Sequence, residues 1–319
     1  MAWSIIPFVN MASLAVAAAK DALAQTSVGE ARCLLIGNGA SDEDRRLVER
    51  FCLDNPRALA WFHEPSLPSL AATWNRALKF VWETGGEDAM VLNNDVKLTS
   101  DTFSTLRQIM QDEDALLVTA TGVEEEETLF AEVQENGQES LAFLSCERCK
   151  ARGTELLIDE EVECGACGGN GMIARRGGPG FSCFLISKEC HEKYQFDEML
   201  VPAFTEDLDL HRQMILGGDG DKIFGTNVRY LHLGGQTLKN MSPERRQATE
   251  EAISRGARAH YARKWGGGGN EERWLVPFQD NVDAIRMGEV VVPGWIDARW
   301  INGESVATPD LFNELRSHW

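Results

Sequence analysis

The first half of the chain alternates short apolar runs with amphipathic stretches. The apolar runs predict strands at 4–9, 33–36, 59–62 and 89–92. Stretches with helical spacing predict helices at 12–25 and 70–83, with a third between them. Ser41 is expected to cap this third helix, because Asp44 follows three residues later, and the helix is expected to end before Pro56. This strand–helix order predicts an α/β fold with a mostly parallel sheet covered by helices.

The alternation stops after Thr121 and resumes near Phe181. Four segments are therefore predicted: 1–123 and 178–265 as the halves of one α/β domain, 124–177 as an acidic insert, and 266–319 as an extension. The extension follows a run of four glycines and contains Trp274, Trp295, Trp300 and Trp319. Because it is too aromatic for a disordered linker, it is expected to pack on the main domain.

Composition narrows the class of protein. Hydrophobic residues make up 43% of the 319 residues, which is enough for a sizeable core. The formal charge of −19 disfavours a generic nucleic-acid binder, and the stretch 124–163 alone holds 13 acidic and 3 basic residues. No run approaches the roughly 20 apolar residues of a membrane span. The apolar N-terminus lacks a basic region, so it is interpreted as a buried strand and helix in a cytoplasmic protein.

Four cysteines form two paired motifs inside the insert, in the order Cys146-x2-Cys149-x14-Cys164-x2-Cys167. Two such loops can complete a tetrahedral site of four thiolates, so a structural Zn²⁺ is predicted. The motif resembles the zinc module of DnaJ-type proteins, although Ala151 replaces one glycine. The zinc is expected to hold the insert together or to present a surface to a partner. A redox pair is the alternative.

Polar residues follow two of the predicted strands, where ligands collect in open α/β sheets. Asn38 lies in one such turn, and Asn94 and Asp95 lie in the other. Further along, Glu206 and Asp207 open a predicted helix and His232 ends a predicted strand. Each is weak evidence by itself, because acids complement a helix dipole and a lone histidine is commonly a core or turn residue.

Taken in order, these motifs resemble glycosyltransferase family 2, the inverting enzymes of the GT-A type. The resemblance spans about 5–240 and skips the insert. The motifs that carry it are Asn38-Gly39-x-Ser41-Asp42, Asn75, Asn94-Asp95, Gly178 to Phe181, Phe196-Asp197-Glu198, Thr205-Glu206-Asp207 with Leu210 and Arg212, and His232. It implies a GT-A fold with a mixed, mostly parallel sheet flanked by helices. It also implies transfer of a sugar from a nucleoside-diphosphate sugar, expected to be a UDP-sugar, to an acceptor hydroxyl.

The resemblance also assigns roles to residues. Asp95 and His232 would bind Mn²⁺ or Mg²⁺, Asp207 would act as the catalytic base, and Glu206 would position the acceptor or support the base. The residues implied in donor binding are Pro7, Asn10, Asn38, Asn75, Asn94 and Arg212.

Two positions depart from the family pattern. Asn93 stands where a first metal-binding acid is common, and Gly37 replaces an acid that contacts the nucleotide base in family members. A saccharide acceptor is expected, and glycosylation of a hydroxylated base in DNA is the alternative. A nucleotidyltransferase and a non-catalytic binding protein that recruits a partner through its zinc insert are the other hypotheses.

Overall fold

A computed structural model describes residues 1–129, 139–140, 144–145, 154–157, 160–164, 172–173, 180–269, 272 and 277. The strands are β1 Ala2–Phe8, β2 Ala31–Asn38, β3 Ala58–His63, β4 Asp88–Leu92, β5 Val96–Leu98, β6 Leu117–Val123, β7 Glu139–Ser140, β8 Leu144–Ser145, β9 Thr154–Leu157, β10 Glu160–Glu163, β11 Met172–Ile173, β12 Cys183–Ser187 and β13 Ile223–His232. The helices are α1 Ala12–Leu23, α2 Asp42–Asp54, α3 Leu70–Glu83, α4 Thr102–Asp112, α5 Glu126–Leu129, α6 Lys188–Lys193, α7 Glu206–Leu216, α8 Gln236–Lys239, α9 Pro243–Ile253 and α10 Ala259–Trp265.

The main sheet has the strand order β3-β2-β1-β4-β12-β6-β13-β5. Strands β1 to β4 pair in parallel, as the strand–helix alternation predicts. Strand β12 runs antiparallel between β4 and β6, and β13 is parallel to β6 but antiparallel to β5. The sheet is therefore mixed, and the predicted α/β class is confirmed.

Alternating residues of the central strands feed two separate cores. Ile6, Leu35 and Met90 point to the core covered by α1, α2 and α4. Their neighbours, such as Ile5 and Val91, point to the core covered by α3, α6 and α7. Side chains of a strand alternate between the two faces of the sheet, and both faces are buried here. The strands are therefore apolar at nearly every position.

Several local predictions are confirmed. The Ser41 hydroxyl accepts a hydrogen bond from the Asp44 N–H at the start of α2, and α3 has the predicted bounds Leu70–Glu83. Strand β5 was not predicted, because its three residues are too short to show a period. It forms nonetheless, because the end of β13 supplies the backbone partners.

The predicted insert is not separate from the main sheet. Within it, β7 pairs with β13, while β8 pairs with β11 and β9 with β10 as small antiparallel ribbons. The boundaries at 124, 178 and 266 stay predictions. In the part of the chain listed above, no helix is both long and apolar enough to cross a bilayer.

Candidate active site

Asp95 and His232 come together at the edge of the sheet where β4 ends. The antiparallel register of β13 and β5 pairs His232 with Val96, next in sequence to Asp95. The His232 Nε2 lies 3.4 Å from the Asp95 Oδ1. These residues are 137 positions apart in sequence, and the pairing of β5 with β13 brings them together.

Two glycines shape the turn that closes over Asp95. Gly234 and Gly235 have φ of +67° and +61°, which costs glycine little and strains other residues. The turn aims the Gln236 N–H at the Asp95 Oδ2 at 3.2 Å. Burial alone would raise the pKa of Asp95, but the hydrogen bonds from His232 and from the Gln236 N–H outweigh it and lower the pKa. The carboxylate is therefore held in its charged form.

The ligand atoms of Asp95 and His232 suit a divalent ion that takes its other ligands from outside the protein. A carboxylate oxygen and an imidazole nitrogen converge, and Mn²⁺ accepts both. Among the described residues, no group of three or more His, Cys, Asp and Glu side chains is placed to hold a metal. An ion bound by this pair would need water or phosphate oxygens to complete its shell.

The residues that lead into α7 adopt an unusual backbone. Phe204 and Thr205 have φ of +83° and +72°, in the left-handed region that bulky and β-branched residues avoid. This conformation turns the chain so that Glu206 and Asp207 begin the helix. Strain of this kind concentrates at functional sites.

Both predicted acids are buried and their titration is displaced. Burial raises the pKa of Glu206 to about 8, although hydrogen bonds from the backbone N–H groups of Glu206 and Phe204 partly lower it. Burial also raises the pKa of Asp207, and the Leu208 N–H, which donates to its Oδ1 at 2.9 Å, opposes that shift. Glu206 is therefore protonated at neutral pH, which leaves Asp207 as the stronger candidate for a base.

The opposite side of α7 is fully engaged in structure. Asp209 accepts hydrogen bonds from the Trp265 Nε1 at 2.7 Å, the Gln213 Nε2 at 2.7 Å and the Lys264 Nζ at 3.0 Å. The guanidinium of Arg212 lies 5.2 Å from the centroid of the Trp265 ring. Arg212 thus faces α10, and its predicted contact with the donor phosphates stays a prediction.

Three predicted donor-binding residues lie around the ends of β1 and β4. Pro7 is buried within β1, and the Asn94 Nδ2 donates to the Asn10 backbone oxygen at 3.4 Å. The side-chain Oδ1 of Asn10 is buried without a hydrogen-bond partner. A buried carbonyl oxygen left in this way is available to a ligand. Donor binding by these residues stays a prediction.

Asn38 and Asn75 are both hydrogen-bonded within the protein. Asn38 exchanges two hydrogen bonds with the backbone of Leu67, at 2.7 and 3.1 Å. Asn75 does the same with Phe196, at 2.8 and 3.2 Å, and also contacts Glu198. These contacts favour a role in holding loops, and contact of either residue with a donor stays a prediction.

The glycine at position 37 has a steric reason. A Cβ at Gly37 would lie 2.6 Å from the Cδ1 of Phe62. The Phe62 ring, which packs on Phe8 and on Arg45, fills the space that a larger side chain would need. The departure from the family pattern is therefore coupled to the aromatic residue on β3.

The zinc prediction cannot be followed to its ligands, because Cys146, Cys149 and Cys167 lie outside the described residues. Cys164 is described and buried. The four-thiolate Zn²⁺ site stays a prediction.

Comparisons with known proteins identify the fold of the chain. No family model matches the chain, and a search of curated proteins finds no match. Glucosyl-3-phosphoglycerate synthase from Mycobacterium tuberculosis, in complex with Mn²⁺, UDP and phosphoglyceric acid, is similar with a TM-score of 0.50 and 12% identity over 80% of this chain and 76% of that one. A mannosyltransferase from Pyrobaculum calidifontis, in complex with GDP-Man and Mn²⁺, is similar with a TM-score of 0.49 and 13% identity over 99% of this chain and 83% of that one. The chain has the GT-A glycosyltransferase fold.

Sequence reasoning missed several residues of this region. Phe204 and His211 lie near the predicted acids in sequence, and Lys264 and Trp265 contact Asp209 on the face of the helix opposite Asp207. His211 carried a signal, because a histidine four residues after Asp207 lies on the same helical face. The left-handed backbone at Phe204 and Thr205 carried none, since neither residue type favours that region.

Proposed function

We propose that this protein is an inverting glycosyltransferase of family 2, which moves a sugar from a nucleoside-diphosphate sugar to an acceptor hydroxyl. The observation that carries the proposal is the Asp95–His232 pair at the carboxyl edge of a GT-A sheet. A similar fold binds Mn²⁺ and UDP together in the mycobacterial enzyme. We carry that ligand class to this chain, with a UDP-sugar as the expected donor.

Each residue then has a defined task. Asp95 and His232 would hold Mn²⁺ or Mg²⁺, which supplies positive charge to the diphosphate leaving group. Asp207 takes the proton from the acceptor hydroxyl. The acceptor oxygen forms a bond to the anomeric carbon as the bond from that carbon to the phosphate oxygen breaks. The electron pair leaves with the nucleoside diphosphate. A single displacement of this kind inverts the anomeric centre.

The charges of the acidic residues agree with these roles. Asp95 is held ionised beside His232, whereas Glu206 is protonated at neutral pH. A neutral Glu206 can donate a hydrogen bond to the acceptor and does not compete with Asp207 for its proton. Asn10, with its unpartnered Oδ1, is the candidate contact to the donor near the end of β1.

The test is release of nucleoside diphosphate from a panel of UDP-, GDP- and other nucleotide-sugars, with Mn²⁺, Mg²⁺ or chelator. We expect metal-dependent release for one donor base, and loss of the metal response in Asp95→Ala. Glu30→Ala removes an exposed acid from the other end of the sheet strands and serves as the matched control.

The other hypotheses give different products. Release of pyrophosphate from a nucleoside triphosphate would identify a nucleotidyltransferase. Absence of any binding of nucleotide-sugar with Mn²⁺ would leave a non-catalytic binding protein. Full metal-stimulated activity in Asp95→Ala would show that the site assignment is wrong.

A further inference from the structure

Unpartnered polar atoms occur in the first half of α7 and at its N-cap. The Thr205 Oγ1, the Glu206 Oε1 and the His211 Nε2 are all buried and lack hydrogen-bond partners. Leaving a buried polar group unpaired costs about 1–3 kcal/mol. Three such atoms within seven residues is therefore a costly arrangement, and it favours a ligand that restores the missing bonds.

His211 is placed to share a ligand with the proposed base. It follows Asp207 by four residues, so the two side chains lie on one face of α7, a turn apart. Side chains on a helix lean toward its N-terminus, which brings the imidazole toward Asp207. The Phe181 ring packs edge-on against the His211 imidazole, with 5.3 Å between the ring centroids, and offers it no hydrogen bond.

Two titratable residues near Asp207 on α7 are uncharged at neutral pH. Burial lowers the pKa of His211 to about 4, so its imidazole is neutral, and burial raises the pKa of Glu206 to about 8. A neutral imidazole and a neutral carboxyl group both exchange hydrogen bonds with hydroxyl groups. The site therefore suits an acceptor with several hydroxyl groups.

An apolar surface lies beside these polar atoms. Phe204 directly precedes Thr205, and 44% of its surface is exposed although its backbone is strained. An exposed aromatic ring next to a few polar groups is the usual lining of a small-molecule site. The Arg258 guanidinium lies 6.0 Å from the centroid of the Phe204 ring, and the C–H face of a sugar ring or a short carbon chain can pack on the part of the ring that stays exposed.

We propose that the acceptor carries at least two neighbouring hydroxyl groups, and that His211 selects it by hydrogen-bonding the hydroxyl next to the one that reacts. This inference rests on the proposed function. His211 is thereby a specificity-determining residue, while Asp207 receives the proton.

The experiment compares acceptors that differ in hydroxyl number, with the nucleotide-sugar and metal that the hydrolysis panel identifies. The polyols are glycerol and glucose, and their single-hydroxyl counterparts are 1-propanol and tetrahydropyran-2-methanol. A DNA oligonucleotide that contains 5-hydroxymethylcytosine presents a single hydroxyl on that base and represents the alternative acceptor. Mass spectrometry quantifies each glycosylated product. We expect a preference of at least about 10-fold for the polyol of each pair, because an unpaired buried group penalises the analogue that lacks the hydroxyl.

Two variants assign the preference to His211. His211→Phe keeps the ring packing on Phe181 but has no nitrogen, so we expect the polyol ratio to collapse toward one. His211→Gln restores a polar group and is expected to recover part of the ratio. The ratio within one protein sample does not depend on how much of that sample is folded, and the wild-type ratio is measured without any variant.

Failure of this inference differs from failure of the proposed function. An enzyme that releases nucleoside diphosphate but shows no preference for polyols, transfers to none of them, or prefers the DNA acceptor would overturn the inference alone. A His211→Phe variant that keeps the wild-type ratio would also overturn it. Absence of donor turnover in the wild type would instead refute the proposed function.

Discussion

Buried polar groups of helix α7 differ in whether they have hydrogen-bond partners. Asp209 is 1% exposed and receives hydrogen bonds from three side chains, two of them on α10. Glu206, three residues earlier, is 5% exposed and its Oε1 has no partner, and the His211 Nε2 has none either. Asp209 and Glu206 are buried to a similar degree, so they differ in whether their carboxyl oxygens have hydrogen-bond partners. A satisfied buried acid stabilises the fold, whereas an unsatisfied one is kept at a cost that function explains.

The largest effect on stability is expected at Asp209, the acid with partners. Asp209→Ala leaves the Trp265 Nε1 without its acceptor and removes one of the two carboxylates that pair with Lys264, which keeps Asp197. Breaking a buried ion pair from one side costs roughly 3–5 kcal/mol, and the remaining pair with Asp197 places the expected loss at the lower end. Urea denaturation should show that loss in the free energy of unfolding. A change below about 1 kcal/mol would mean that the contact with α10 contributes little to the fold.

Substitution of Glu206, the acid with an unpartnered oxygen, is expected to change stability in the opposite direction. The folded state holds a proton on Glu206 up to a pKa of about 8, whereas the unfolded chain releases it near 4.5. Between these values the folded state binds more protons, so its stability falls as pH rises from 4.5 to 8. Glu206→Gln removes this penalty, which is up to about 3 kcal/mol at pH 7. Thermal melts between pH 5 and 8 should show a flatter dependence than wild type.

Equal stability of Glu206→Gln and wild type at pH 8 would contradict the assigned protonation. The same melts at pH 5 serve as the control, because there both forms carry an uncharged side chain and are expected to differ little.

Two buried histidines extend the comparison to a smaller effect. His191 accepts from the Trp82 Nε1 at 3.0 Å and contacts the Asn75 Oδ1 at 3.1 Å, whereas the His211 Nε2 has no partner. Burial lowers the pKa of each to about 4. His191→Phe orphans the Trp82 N–H and should cost about 1–3 kcal/mol. His211→Phe should cost less than about 1 kcal/mol, since no bond is lost.

Chemical denaturation of both histidine variants measures this difference in free energy of unfolding. If His211→Phe is as destabilising as His191→Phe, the imidazole of His211 is a structural element and the unpartnered nitrogen has no functional meaning.

The sequence allowed the outline of this fold to be predicted, and the reasons are local. The period-two strands and the capped helix after Ser41 follow from side-chain pattern and hydrogen bonding within a few residues. The mixed character of the sheet was expected only from the family resemblance. The side-chain pattern does not predict that β12 lies between β4 and β6, because this placement depends on pairing across long stretches of chain. Propensity carries no information about such partners.

The candidate site divides in the same manner. The approach of His232 to Asp95 was expected only from the family resemblance, since its physical cause is the register of β13 against β5. The hydrogen bonds of Asp209 could not be predicted from the sequence, because its partners Lys264 and Trp265 lie more than fifty residues later. Sequence spacing identifies acids, and only tertiary structure tells which of them are free to react.

The most direct measurement compares Asp207→Asn with Asp209→Asn, two carboxylates two residues apart on opposite faces of the same helix. Turnover of the nucleotide-sugar is divided by the folded fraction from circular dichroism at the assay temperature. We expect Asp207→Asn to remain folded and to lose about 10²–10⁴-fold in turnover, as the loss of a general base does. We expect Asp209→Asn to lose stability while each folded molecule keeps turnover within about tenfold of wild type. Near wild-type turnover in folded Asp207→Asn would contradict the assignment of the catalytic base.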